Sequence, residues 1–172
     1  MSFESIQKEL IIRLARPEDA EAICRLHVTS IRVLCAADYT PDQIEAWAGP
    51  KRAADYVRGL EAGEAMYVAK VRGEILGFGC RYGDELRGLY VAPTAVARGI
   101  GTSLLKRIED DALAAGIHLL QLHSTLTAAA FYEKRGYSRG QPVARVMHGV
   151  AIRCIPMKKQ LGQQNSPSSK EI

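Results

Sequence analysis

The spacing of apolar residues changes period several times along the chain, and each change marks an element. Residues 10–15, LIIRLA, are a short apolar run that predicts a first strand. Arg16-Pro17-Glu18-Asp19 then opens a helix. Proline is preorganised for the first helical position, and the two acids suit the positive end of the dipole. Ala22, Ile23, Leu26, Ile31 and Leu34 give this helix its apolar stripe. After a break at residues 36–39, Thr40-Pro41-Asp42-Gln43 reads as a capping box. The helix it starts carries Ile44 and Trp47 and stops near Gly49-Pro50; a further short helix is expected over 51–60.

The period then falls to that of strands. AMYVAKV (65–71) and EILGFGCRY (74–82) are β-rich runs joined by Arg72-Gly73, a hairpin signal. Gly83-Asp84 gives a second turn and ELRGLYV (85–91) a third antiparallel strand. Helical spacing returns in Leu104, Leu105, Ile108 and Ala112, with Gly116 as the stop. IHLLQLH (117–123) predicts a buried central strand, TAAAFYEKRG (127–136) a short helix, and 137–141, 143–148 and 150–157 further strands. This order predicts a mixed α/β (α+β) domain, a central mixed sheet of about six or seven strands with helices on both faces. The domain is read as 10–157, with a lead-in at 1–9 and a polar tail at 158–172 whose Ser/Pro cluster predicts disorder.

Composition narrows the function. At 172 residues, 47% hydrophobic and 24% charged, the chain suits one globular domain. The net charge of +4 is scattered, with no basic stripe interleaved with aromatics, so nucleic acid is not the expected partner. A modest positive charge also suits a small ligand carrying phosphates. No apolar run approaches the length of about eighteen residues that spans a membrane, so neither a membrane partner nor a signal segment is expected and the reading is cytoplasmic. Cys24, Cys35, Cys80 and Cys154 form no C-x-x-C pair. They read as buried free thiols, with no metal expected, although Cys35 could instead line a pocket.

The stretch YVAPTAVARGIGTSLL (90–105) carries the chemistry. Walker A requires a lysine after the last glycine, but Gly101 is followed by Thr102-Ser103. The dinucleotide fingerprint needs a glycine where Leu104 stands. Two readings stay open. Gly99 and Gly101 could let a pyrophosphate approach backbone N–H groups at a helix start, with Arg98 beside it. Alternatively, the segment is an ordinary strand-to-helix turn.

A second segment, STLTAAAFYEKRGY (124–137), follows the next strand. Together, Val91-Ala92-Pro93, Arg98-Gly99-Ile100-Gly101 and Phe131-Tyr132-Glu133-Lys134-Arg135-Gly136-Tyr137 resemble the signature of the GCN5-related N-acetyltransferase (GNAT) superfamily in order and spacing. The resemblance covers roughly residues 10–157. Two positions depart from it: Val96 stands where Gln or Arg is usual, and Thr125 or Thr127 where many members have Asn. IRVLCAADYTPDQIEAWA (31–48) and RVMHGVAIRCIPMKK (145–159) are similar to a branch of uncharacterised bacterial acetyltransferases.

The resemblance implies an enzyme that takes acetyl-CoA as donor, with direct attack by a primary amine, on a sheet that splays between the strands at 85–91 and 117–123. Backbone N–H groups from Val96 through Ala97, Arg98, Gly99, Ile100, Gly101 and Thr102 to Ser103 would hold the pyrophosphate. The pantetheine arm would pair along Leu89, Tyr90 and Val91, with Thr125, Ala128, Phe131 and Tyr132 beside it. The Val91 N–H would meet the thioester oxygen. Tyr132 is the family's usual acid, although its ring could instead only pack on the sulfur. Glu85 matches the base of the histone-acetylating branch but could be a solvated turn carboxylate beside Asp84; His123 is the second candidate base.

His27 and His148 read as structural. Cys35, Tyr39, Trp47 and His148 are candidate lining of the acceptor pocket, with core packing the alternative for Cys35 and Trp47. The acceptor is expected to be a small-molecule or peptide amine. The rival function is an acetyl-CoA-binding sensor with little chemistry; a different acyl-CoA or a hydroxyl acceptor is a third. Dimers are common in the family, so a homodimer is an expectation that no sequence feature demands.

Overall fold

The computed structural model describes residues 8–162. β1 (Leu10–Leu14) leads through a 3₁₀ turn at Pro17–Asp19 into α1 (Ala20–Leu34), α2 (Pro41–Ala48) and α3 (Ala53–Glu61). The meander β2 (Ala65–Val71), β3 (Glu74–Tyr82) and β4 (Glu85–Val91) follows, then α4 (Ile100–Ala114) and β5 (Leu119–Ser124). The chain closes with α5 (Ala129–Glu133), β6 (Ser138–Arg139), β7 (Val143–Met147) and β8 (Val150–Gln160). The eight-stranded sheet runs β1-β2-β3-β4-β5-β8-β6, with β7 on β8. All pairs are antiparallel except β4–β5.

Local signals explain most of these elements. The Thr40 hydroxyl accepts from Gln43 N–H at 3.3 Å, and Gln43 Oε1 accepts from Thr40 N–H at 3.0 Å, completing the capping box of α2. The hairpin at Arg72-Gly73 places both residues at positive φ, 51° and 85°, as a tight primed turn requires. His148-Gly149 does the same, 48° and 79°, between β7 and β8.

The stripe of α4, with Ile100, Leu104, Leu105 and Ile108, packs on one face of the meander. Gly77 and Gly79 on β3 make room for it: a Cβ at Gly79 would lie 2.7 Å from Ile108 Cδ1. Ile23, Leu26, Tyr56, Met66 and Phe78 fill the opposite face under α1 and α3. Ile31, Ile44, Trp47 and Ile152 join α2 to β8.

Two expectations are corrected. β8 runs to Gln160, past the boundary at 157, because Lys158, Lys159 and Gln160 pair with Gln121, Leu120 and Leu119. Buried Leu161 extends the domain further, and the rest of the expected tail, 163–172, lies outside the described residues. β5 is not buried on both faces either: Leu120, Leu122 and Ser124 are buried whereas Leu119, Gln121 and His123 are exposed. Leu120 and Leu122 join the core under α4, whereas Leu119, Gln121 and His123 lie on the strand's other face.

β4 and β5 pair only at Glu85–Gln121 and Leu86–Leu122, and then separate. At the same point β4 bulges. Cys80 faces Gly88 and Arg81 faces Leu86, which leaves Arg87 as the extra residue. A bulge sharpens twist and ends regular pairing, so the splay is built into the backbone of β4.

Candidate functional site

Beyond Leu86, β4 presents a free edge. Ala92 N–H donates to Leu76 O at 2.8 Å across the β3–β4 ladder. Antiparallel alternation then turns the main-chain groups of Tyr90 toward β3, and those of Leu89 and Val91 away from it. Consistent with that direction, the Val91 carbonyl accepts from Ser30 Oγ on α1 at 2.8 Å. A narrow cleft of about 120 Å³ lies along this edge, bordered by Leu89, Val91, Thr125, Ala128 and Tyr132.

At one end of the cleft is a recess of about 350 Å³ formed by Val96, Ala97, Gly99, Ile100, Gly101 and Thr102 with Phe131 and Arg135. Ala97 and Gly99 adopt positive φ, 61° and 82°, which bends the loop into a concave run of N–H groups. The first helical bond of α4 is Ser103 N–H to Gly99 O, 3.0 Å. The N–H groups of Ile100, Gly101 and Thr102 therefore precede the helical ladder and point from its positive end.

Arg135 closes the recess. Its guanidinium lies 3.7 Å from the Phe131 ring centroid. It donates to Phe131 O at 2.7 Å and to Thr102 Oγ1. Its Nε is buried without a partner among the described residues, and burial pushes the guanidinium pKa below its usual range.

At the other end the cleft opens into a cavity of about 760 Å³ between α2 and the β7–β8 hairpin. Tyr90 faces it, with the His27 ring 3.9 Å away and Phe78 stacked at 5.6 Å. Tyr39, Trp47 and His148 line it. Tyr39 Oη donates to Arg153 O at 2.8 Å and accepts from Leu126 N–H at 2.9 Å, while His148 Nδ1 lies 3.1 Å from Ala46 O. These bonds fasten the cavity walls together. Glu85 and His123 border both this cavity and a groove of about 770 Å³ on its far side.

Tyr132 is 5% exposed and borders the cleft; among the described residues no hydrogen bond engages its hydroxyl. Burial raises its pKa, so the phenol stays protonated.

A family model described as "Acetyltransferase (GNAT) domain" matches residues 35–161. The chain belongs to the GNAT acetyltransferase family. It is 28% identical over 128 residues to the "Uncharacterized N-acetyltransferase YafP" of Escherichia coli (strain K12), covering 73% of this chain and 79% of that protein. Its fold superposes on a GCN5-related N-acetyltransferase ("Aminotransferase, Class-II") from Rhodopseudomonas palustris at TM-score 0.83 and 33% identity, covering 88% and 95% of the two chains. A PaiA N-acetyltransferase from Thermoplasma acidophilum, solved in complex with coenzyme A, shares the fold at TM-score 0.72 and 22% identity, covering 88% and 98%.

In this GNAT domain the residues singled out from sequence fall in three places. Leu89, Val91, Thr125, Ala128 and Tyr132 meet along the cleft. The loop residues from Val96 to Thr102 surround the recess except Arg98, which does not line it. Ser103 is corrected, since its N–H is engaged by Gly99 O within the helix. Tyr90 reaches the site by its ring, because its main chain is turned to β3. Cys35 borders the narrow cleft and not the large cavity. Of the two threonines, Thr127 donates to Asp38 at 2.6 Å, whereas Thr125 Oγ1 accepts from Ala128 N–H at 3.0 Å and keeps its own O–H at the cleft.

Sequence reasoning missed Ser30, Lys51, Arg87 and Arg135. Ser30 follows His27 on the buried face of α1, so a polar residue on an apolar stripe was its one signal. Arg135 occupies a position the motif leaves free. All four cysteines are free thiols, and burial pushes the Cys80 thiol pKa up to about 12. Among the described residues no cluster of His, Cys, Asp and Glu could hold a metal, and no helix is long and apolar enough to cross a membrane.

Proposed function

We propose that this GNAT domain transfers an acetyl group from acetyl-CoA to a primary amine by direct attack. One observation carries the reading: an unpaired edge of β4 lies between a recess of open N–H groups and a large cavity, with the Tyr132 hydroxyl beside it. The residues fit the donor. Ile100, Gly101 and Thr102 N–H groups, with the unpartnered Arg135 Nε, suit a pyrophosphate. Leu89 and Val91 suit an extended amide-bearing arm, which adds to the sheet as a strand would. The solved relative with coenzyme A has the same fold.

When bound, acetyl-CoA supplies a thioester open to attack by a neutral amine. The Val91 N–H is fixed by the β3–β4 ladder and offers a donor to the oxygen that gains charge; such preorganised donors contribute on the order of 3–4 kcal/mol. Glu85 or His123 takes the amine proton, and both also border the water-open far groove. Tyr132 gives its proton to the departing sulfur. The raised phenol pKa does not forbid this, because a thiolate in the same dry cleft is made more basic by the same desolvation.

The test is calorimetry with acetyl-CoA and free CoA, followed by an amine screen on wild type and Tyr132→Phe. Binding of both ligands is expected, with turnover falling about 100-fold or more in the variant and its acetyl-CoA affinity staying within about twofold. Unchanged turnover would remove Tyr132 as the acid. Binding with no turnover of any amine would favour the sensor reading, and absence of binding by folded protein would overturn the proposal.

A further inference from the structure

The large cavity has a charge asymmetry that acetyl transfer alone does not require. Its carboxylates are committed. Asp55 bonds Arg58 and caps the Arg52 N–H, and Glu85 shares Arg87 with Glu64. Three of its cations are not: no ion pair among the described residues engages Lys51, Arg145 or Arg153. Lys51 is half-buried, and burial presses its pKa down against the opposing pull of the Asp55 charge, with which it forms no ion pair.

His27, on the same wall as Lys51, is 8% exposed, and its Nε2 is buried without a partner. Its Nδ1 is 2.8 Å from Tyr56 Oη. Burial, reinforced by the Lys51 charge, keeps the ring neutral, and burial also keeps Tyr56 protonated. The arrangement in which the Tyr56 O–H donates to Nδ1 is the one that puts the single ring proton on Nε2. A half-buried ammonium in no ion pair and a buried ring nitrogen without a partner thus share one wall. A buried polar group left unmatched is costly, and one anion with two oxygens answers both.

From this geometry we infer that the acceptor is a primary amine carrying a carboxylate. The carboxylate pairs with Lys51 and accepts from His27 Nε2, with Arg145 on the hairpin wall adding to the positive field. The amine lies toward His123, where the cavity meets the cleft. Tyr90 and Trp47 between them suit an apolar body. The inference rests on the acetyltransferase reading for its chemistry, but not for its binding step.

Two measurements separate them. The first is acetyl-CoA-dependent release of CoA with the proteinogenic L-amino acids, each compared with its methyl ester and its decarboxylated amine. The carboxylate-bearing members should exceed their matched partners about tenfold or more in kcat/KM, the scale set by one desolvated charge pair. Lys51→Met should raise their KM by a similar factor and erase the preference, and Lys51→Arg should restore it. Esters or decarboxylated amines used as well as the acids, or a preference intact in Lys51→Met, would overturn the inference. If Lys51→Met fails to fold, the matched comparison on wild type decides.

The second measurement uses Trp47, the single tryptophan, which lines the cavity. Its emission is titrated without acetyl-CoA, with each amino acid against its ester. Stronger response to the acids supports the seat even if acetyl-CoA fails to bind and the catalytic reading falls. Equal responses, or none to any acid, overturn the seat even if acetyl transfer proceeds.

Discussion

Replacing Arg135 by Met separates a ligand-binding role from a structural one. In the free protein the guanidinium makes two hydrogen bonds, to Phe131 O and Thr102 Oγ1, and stacks on Phe131. Losing them costs about 1 kcal/mol per bond and about 0.5–1 kcal/mol for the stack. The same substitution removes the buried, unmatched Nε, whose desolvation costs about 1–3 kcal/mol. The terms offset, so the melting temperature should move by only a few degrees, on the order of 1 kcal/mol. Affinity for acetyl-CoA should not be spared. A hydrogen bond from a cation to phosphate contributes about 1.5–3 kcal/mol, or about 10- to 150-fold in Kd. Calorimetry at two salt concentrations reads the loss, and the wild-type salt dependence should flatten in the variant. An unchanged Kd in a folded variant would refute the assignment. A collapsed melting temperature with unchanged Kd would make Arg135 a structural residue.

Four further outcomes follow from single contacts. A Cβ at Gly101 meets the Phe131 ring at 3.4 Å and Val91 at 3.5 Å, ordinary contacts, so Gly101→Ala should fold normally in a thermal melt. Gly101→Glu puts a carboxylate into the recess and should abolish acetyl-CoA binding in calorimetry; retained affinity would move the phosphate site elsewhere. Gly79→Ala forces a methyl to 2.7 Å from Ile108 Cδ1 and 2.9 Å from Leu89 Cδ1, and urea unfolding should show a loss of about 1–3 kcal/mol. The Asp19 carboxyl lies below its ordinary pKa, chiefly through its hydrogen bonds with Arg13 at 2.7 and 2.9 Å. A depressed carboxylate stabilises the fold above its unfolded pKa of about 4, and that contribution is lost as pH falls through the folded value. The gap in melting temperature between wild type and Asp19→Asn should therefore close below that pH, and a constant gap would refute the linkage.

The local elements were legible because local rules produce them. The Thr40 cap, the Arg72-Gly73 hairpin and the stripe of α4 each depend on residues a few positions apart. The recess loop was legible for the same reason: glycines and a helix start are contiguous in sequence. The inner edges of elements were less so. The helix expected over 127–136 contracts to Ala129–Glu133, because Thr125 turns the chain first through its bond to the Ala128 N–H. The large cavity was only half legible. Tyr39, Trp47 and His148 stand out in the sequence, but their joint wall depends on hydrogen bonds spanning most of the chain, such as Tyr39 to Arg153.

The sequence by itself therefore determined the periodic elements, the glycine loop and the family signature, since each is written in neighbouring residues. Only the tertiary structure decided that β4 leaves β5 after Leu86, that the Arg87 bulge falls at that point, and that His27 Nε2 and Arg135 Nε are buried without partners among the described residues. Those facts depend on which distant groups fail to meet. A pairing that stops and a donor left without an acceptor are properties of the assembled fold, with no local pattern to announce them.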